Sequence, residues 1–267
     1  MQSILSVAHA ATAIEHDIFR SHDFSDFITT LTNLTTEYAP QDIYALVDVD
    51  YTITVPAHPA THAPNVKEHY TQFIKLTKDF SSDELERFEN IVLVQQPQQV
   101  IDPKVQSYLA QLKKSQIKTT AITAMLCAPL APDMHSMTQW RYESLKSLNI
   151  DFSDSFPQVE IFDFTEIPAY LTAHPQYYKG ILCTNGELGQ HHKGTVLDSF
   201  LKQTGYRPKV IVMIDDKLKN LVDVQATLQN TGIRFIGFDY QAGLQFAQQP
   251  VDQLAFTQFW NDVKKAL

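Results

Sequence analysis

Five consecutive apolar residues, Val210-Ile211-Val212-Met213-Ile214, run directly into two carboxylates, Asp215-Asp216. A strand that is apolar at every position, rather than at every second one, has to be covered on both faces, as the central strands of parallel sheets are. The chain must therefore supply helices for two sides of a sheet, and its order does so. Strand patterns at Tyr44–Val47, Thr119–Ala124, Gly180–Thr184, Val210–Ile214 and Ile233–Phe238 are separated by helical ones. The helical spacings fall at about 103–114, 134–148, 193–204 and 217–228, with another at the C-terminus. Strand then helix, repeated, predicts an α/β fold: a Rossmann-like three-layer parallel sheet. With 267 residues, 44% of them hydrophobic, the chain can bury such a core and still carry an insert.

Before the first sheet strand, residues 14–38 read as two helical pieces broken near Ser21-His22-Asp23, with Asp23 or Ser25 as a cap for the second. Residues 54–100 interrupt the alternation. Pro56, Pro59 and Pro64 make a loop of its start, and helical spacing then brings Tyr70, Phe73, Ile74 and Leu76 together. Asn90–Val94 reads as a short extended piece. The predicted organisation is a core of residues 1–53 and 101–267 with a mostly helical cap insert, 54–100, over the site. Val159–Phe164 alternates apolar and acidic residues like a strand of a local hairpin, and Trp140, Leu145 and Leu148 define the inward face of their helix. Tyr51, Tyr70 and Phe73 are either core or rings on which a ligand could stack.

Charge and cysteine content narrow the function. A formal net charge of −9 argues against a general nucleic-acid binder, whose affinity would rest on Lys and Arg. Cys127 and Cys183 form no C-x-x-C pair and read as buried small hydrophobes, so no disulfide framework or zinc site is expected. His58 and His62 have helical spacing, but the interleaved prolines forbid the helix that would present both to a metal. No apolar run is long enough for a membrane span. Met1–Ala13 lacks a basic residue ahead of its apolar part, so a signal peptide is not expected and a cytoplasmic protein is.

The polar residues at the strand ends carry the chemistry. Ligands of an open parallel sheet sit beyond the carboxyl ends of its strands. Those ends hold Asp48 and Asp50, then Thr123, then Asp215 and Asp216, and Lys193 opens a helix between them. Four acids gathered at one place would repel one another; an ammonium and a hard, oxygen-seeking cation resolve that. The alternative for Asp48-Val49-Asp50 is a solvated acidic turn after an edge strand.

In this order and spacing the residues resemble the haloacid dehalogenase-like superfamily, specifically its phosphatases and phosphotransferases. The similarity runs through Leu46-Val47-Asp48-Val49-Asp50-Tyr51-Thr52-Ile53, Ala121-Ile122-Thr123, His192-Lys193-Gly194 and Ile214-Asp215-Asp216. It implies Asp48 as nucleophile, Asp50 as general acid/base, Thr123 as a donor to the phosphoryl group and Lys193 as its counter-charge. It further implies Mg2+ held by Asp48, Asp50, Asp216 and Asp215, with Asp216 the direct ligand and Asn220 standing where an acid is often found. The chain also looks like a poorly characterised group of such proteins in intracellular bacteria, which leaves export as an effector open. The implied activity is hydrolysis of a phosphate monoester, on a small molecule or a phosphoprotein, through an aspartyl-phosphate. The implied alternative is a catalytically weak relative acting through a partner surface.

Overall fold

The computed structural model describes residues 16–129, 135–186 and 192–266. The described chain opens with β1 (His16–Ser21), α1 (Phe24–Leu34) and β2 (Ile43–Val47). Then come β3 (Thr54–Pro56), α2 (Ala63–Glu68), α3 (Tyr70–Thr77), α4 (Ser82–Gln95) and β4 (Gln98–Val100). These are followed by α5 (Val105–Lys114), β5 (Lys118–Thr123), α6 (Met137–Ser147), β6 (Ile161–Asp163), β7 (Gln176–Tyr178) and β8 (Ile181–Cys183). The last part is α7 (Lys193–Thr204), β9 (Val210–Asp215), α8 (Leu218–Leu228), β10 (Arg234–Tyr240), α9 (Ala242–Phe246) and α10 (Gln253–Ala266).

One eight-stranded sheet carries the molecule, in the order β1-β10-β9-β2-β5-β8-β7-β6. Its first six strands are parallel, and the β6–β7 hairpin adds an antiparallel edge beside β8. Side chains alternate across the sheet. Ile43, Ala45 and Val47 of β2, with Val210, Val212 and Ile214 of β9, join a cluster with α1, α5 and Leu145 of α6. Tyr44 and Leu46, with Ile211 and Met213, join the opposite cluster with Val196, Leu197 and Phe200 of α7 and Leu221 and Val224 of α8. This is the three-layer α/β arrangement expected, with helices on both sides of a mostly parallel sheet. Each large side chain so buried contributes about 1.5–3 kcal/mol before the entropy cost of ordering it.

Residues 54–100 leave the core and return to it at one point, because Thr54 pairs with Val100 in the small β3–β4 ladder. Their helices meet a distant partner. Phe73, Phe88 and Val92 pack with Phe256, Trp260 and Val263 of α10, and Trp260 Nε1 donates to the carbonyl of Ala60 at 3.0 Å.

Three local expectations change. Residues 16–21 are a strand, not a helix: β1 gains a full parallel register along β10, and Phe19 lies 6.1 Å from the Phe238 ring. Tertiary pairing here outweighs local propensity. Residues 90–94 continue α4, whose Ser81–Glu84 capping box starts it and which meets no breaker before Pro97. On α6 the buried stripe is Met137, Thr138, Arg141 and Leu145, and Trp140 is only half-buried. Asp23 caps α1 as expected, accepting from Ser25 N at 2.8 Å. Met1–Ala13 and Met134 lie outside the described residues. No helix among the described residues is long and apolar enough to cross a membrane.

Candidate active site

β2 ends at Val47, and the chain then folds back on itself. The carbonyl of Val49 accepts from the backbone N–H groups of Thr52, Ile53 and Thr54, at 3.3, 2.8 and 3.0 Å. Tyr51 sits in the left-handed region at φ 63°, a conformation that costs a non-glycine residue energy and is kept by its surroundings. Gly243 of α9 provides one restraint: a Cβ there would lie 1.8 Å from the Tyr51 carbonyl oxygen. The turn points Asp48 inward and returns the Thr52 hydroxyl to it, donating to Asp48 Oδ2 at 2.8 Å. Asp48, Asp50 and Thr52 therefore do not line up along a continuing strand.

Lys193 reaches Asp48 from the first turn of α7. The helix can start there because Gly194 lies against α8, where a Cβ would meet Thr227 Oγ1 at 2.1 Å, and its N–H donates to Asp223 Oδ2 at 2.7 Å. The Lys193 ammonium has three donors, and all are used. They reach Asp48 Oδ1 at 2.5 Å, Asp215 Oδ2 at 2.7 Å and the carbonyl of Ile122 at 2.9 Å. All three charged side chains are almost wholly buried.

Asp215 ends β9 beside β2, so the parallel register itself brings it to Asp48. Its carboxylate also accepts from Lys217 N at 2.9 Å and from Asn220 Nδ2 at 2.9 and 3.1 Å. Oxygens of Asp48, Asp215 and Asp216 all lie within 4.8 Å of one another. Three buried acids thus face one buried ammonium, and the charge imbalance is felt. Burial, with the neighbouring Asp215 and Asp50 charges, pushes Asp48 up to about 7 against the pull of Lys193. Burial, then Asp48 and Asp215, pushes Asp216 up to about 8. Burial alone would lower Lys193; the charges of Asp215 and Asp48 outweigh it and the group ends raised. An all-oxygen donor set with surplus negative charge fits a hard divalent cation such as Mg2+.

Asp50, which the resemblance implies among the metal ligands, is not one of the three acids whose oxygens gather here. Both of its carboxylate oxygens accept from Arg141 Nη2, at 2.7 and 2.9 Å, and Thr123 Oγ1 donates to Oδ2 at 3.3 Å. Arg141 went unnoticed in the sequence. It is fully buried, sits 5.0 Å from the Trp140 ring, and its Nε and Nη1 have no hydrogen-bond partner among the described residues. The available signal was its place one helical turn after Met137 and Thr138 and one before Leu145. A cavity of about 460 Å3 opens beside Asp50 towards the insert, lined by Tyr51, Phe73, Trp260 and others.

The other candidates stay outside the site. His58 Nδ1 accepts from Ala60 N at 3.2 Å and His62 Nε2 contacts the carbonyl of Pro56 at 2.7 Å, so both serve the loop. Cys127 and Cys183 are buried free thiols, as expected.

A family model described as a protein of unknown function, DUF2608, matches residues 23–267. The chain belongs to the DUF2608 family. The match takes in every element that builds the site, from α1 to α10. This DUF2608 chain is similar to an uncharacterized protein of Rickettsia bellii, 23% identical over 214 residues that span 78% of this chain and 71% of that protein. A Rickettsia felis protein, also uncharacterized, is 33% identical over 97 residues, 36% of this chain and 32% of the relative. Among solved structures, the DUF2608 chain is similar to a haloacid dehalogenase-like family hydrolase from Streptococcus pneumoniae. That likeness has a TM-score of 0.38 and 16% identity, over 78% of this chain and 92% of the other.

Proposed function

We propose that the chain is a Mg2+-dependent phosphate-monoester hydrolase of the haloacid dehalogenase-like type, working through Asp48. The observation that carries this reading is the placement of Lys193. Its buried ammonium bridges Asp48 and Asp215, from the ends of two neighbouring strands, with Asp216 in the same cluster. Such a centre is costly to build for stability alone.

In this reading an Asp48 oxygen attacks phosphorus and the bond to the leaving oxygen breaks, giving an aspartyl-phosphate. Asp50, oriented by Arg141 and Thr123, delivers a proton to the leaving oxygen and then takes one from the water that attacks phosphorus. That second displacement frees phosphate and restores Asp48. Lys193 offsets the charge that builds beside Asp48, and the Thr123 hydroxyl, whose single O–H donates to Asp50 in this structure, would turn it to the phosphoryl group. Mg2+, held by Asp48 and Asp216, supplies charge neutralisation for the phosphoryl oxygens. Asp215 supports the centre instead, since Lys193, Lys217 N and Asn220 already occupy its oxygens.

The test is hydrolysis of p-nitrophenyl phosphate with and without Mg2+, by the wild type and by Asp48→Asn. Activity that needs both Mg2+ and Asp48 supports the reading. A wild type inert across a panel of phosphate esters, or an active Asp48→Asn, ends it and favours a binding protein with this fold.

A further inference from the structure

Resting on that reading, we propose that Arg141 is a positioning residue that keeps the Asp50 carboxylate out of the cation site. By engaging both oxygens of Asp50 it reserves that group for proton transfer and leaves the cation to Asp48 and Asp216. Such a restraint is needed because Asp50 stands only two residues after Asp48, on a turn that folds back on itself. Burial, then the charges of Asp215 and Asp50, raise Asp48, so Asp50 lies within electrostatic reach of the cluster. A hard divalent cation takes carboxylate oxygens first, and its double charge draws any anion that is free to move.

The grip is tight and it is fixed to the core. Arg141 Nη2 donates to Asp50 Oδ1 at 2.7 Å and to Oδ2 at 2.9 Å. The same nitrogen lies 3.4 Å from Met125 Sδ, and the guanidinium lies over the Trp140 ring. Its helix is seated by buried Met137, Thr138 and Leu145, and Ser136 caps it by accepting from Gln139 N at 3.1 Å. A guanidinium held in this way cannot follow Asp50 towards the metal acids. Nothing else in the centre does this work. Lys193 spends its donors on Asp48, Asp215 and Ile122, which leaves Asp50 only the single Thr123 hydroxyl at 3.3 Å.

Stability does not account for Arg141. The side chain is fully buried, and among the described residues Asp50 is its one ion-pair partner. Its Nε and Nη1 have no hydrogen-bond partner among those residues. A buried cation with two unfilled nitrogens stabilises a fold poorly, and an apolar side chain of similar length would fill the same space at lower cost. What the arginine adds is the hold on Asp50, the carboxylate that is not among the three gathered acids.

The experiment reads cation binding rather than turnover. Mn2+ is titrated at pH 8 into the wild type, Arg141→Met and the double variant Arg141→Met/Asp50→Asn, and water-proton relaxation reports the waters left on the bound ion. With Asp50 released, Arg141→Met is expected to bind Mn2+ at least about tenfold more tightly, and the added carboxylate should displace a water and lower the relaxation enhancement. Asp50→Asn on top should cancel both changes. Should Arg141→Met fail to fold, Arg141→Gln, whose shorter uncharged amide gives up the grip, takes its place. Unchanged or weaker Mn2+ binding by the single variant overturns the inference. So does a gain that the double variant retains, because it would come from the lost positive charge alone. In hydrolysis of p-nitrophenyl phosphate with saturating Mg2+, the single variant should lose about a hundredfold in kcat with KM little changed. A protein that shows the binding pattern but hydrolyses no phosphate ester keeps this role for Arg141 while the hydrolase reading falls. A wild type that binds no Mn2+ removes the inference whatever its activity.

Discussion

At the sheet edge Lys193 spends all three donors on Asp48, Asp215 and Ile122, and every charge there is buried. Beside it, the cavity under the insert is walled mostly by rings and aliphatic side chains, and one of its rings, Tyr70, stands half in solvent. The first region is positioned by neighbouring parallel strands, β2 and β9, in fixed register. The second is assembled from short helices and an α10 that arrives from the far end of the chain. In a low-dielectric cluster the sign of a change follows the charge balance: with three acids to one ammonium, losing the cation leaves acids buried without a partner, whereas losing one acid relieves the surplus. An apolar wall loses the transfer free energy of the atoms removed and a term for the gap left, with no charge stranded. Changes at the centre should therefore be large for catalysis and depend on the sign of the charge removed for stability, and changes in the insert should act by degrees.

The largest effect belongs to Asp48→Asn, which should lower Mg2+-dependent kcat by at least about a thousandfold. The same variant removes one anion from a crowd of three, so thermal melting without metal at pH 8 should show no loss of stability. A marked drop in Tm would mean that the acids are not in surplus. Lys193→Met comes next. It leaves Asp48 and Asp215 buried without a counter-charge and should cost about 3–5 kcal/mol in urea unfolding. A loss below about 1 kcal/mol would show that the ammonium does not hold the centre together.

Metal and pH sharpen the contrast further. Asp48 and Asp216 stand near 7 and 8 in the folded chain, against the ordinary aspartate value of 3.8. Raised acids favour the folded state in their protonated form. Their contribution is complete below about pH 4 and is lost as pH climbs through 7 and 8. The metal-free protein should thus lose stability between pH 6 and 8.5, and Mg2+, which competes with those protons, should raise Tm more at pH 8.5 than at pH 6. At a hundredfold excess over Kd the gain is about 2.7 kcal/mol. An equal gain at both pH values would contradict the placement of the cation among these acids. The smallest effect is in the insert: Ser81→Ala removes the α4 cap and should cost about 1 kcal/mol while leaving acetyl phosphate turnover alone.

What could be read in advance follows the same division. Val210–Ile214 and Tyr44–Val47 announce buried strands, and the polar residues just past such runs meet because parallel strands end at one edge. Asp48, Thr123 and Asp215 end such strands, whereas Lys193 opens α7 and its role comes from the resemblance. Arg141 did not follow from it, since an arginine on an amphipathic helix reads as solvated until Asp50 is seen pointing at it. Nor did β1, whose six residues show their strand character only against β10. The link between Trp260 and Ala60 joins positions 200 residues apart, and no local pattern carries it.

The most direct measurement is the chemical identity of the phosphorylated enzyme. Acid quench of the wild type during steady turnover of p-nitrophenyl phosphate with Mg2+, followed by peptide mass spectrometry, should place an acyl phosphate on Asp48. Turnover with the phosphate on another side chain, or with Asp48 never modified, would contradict the account.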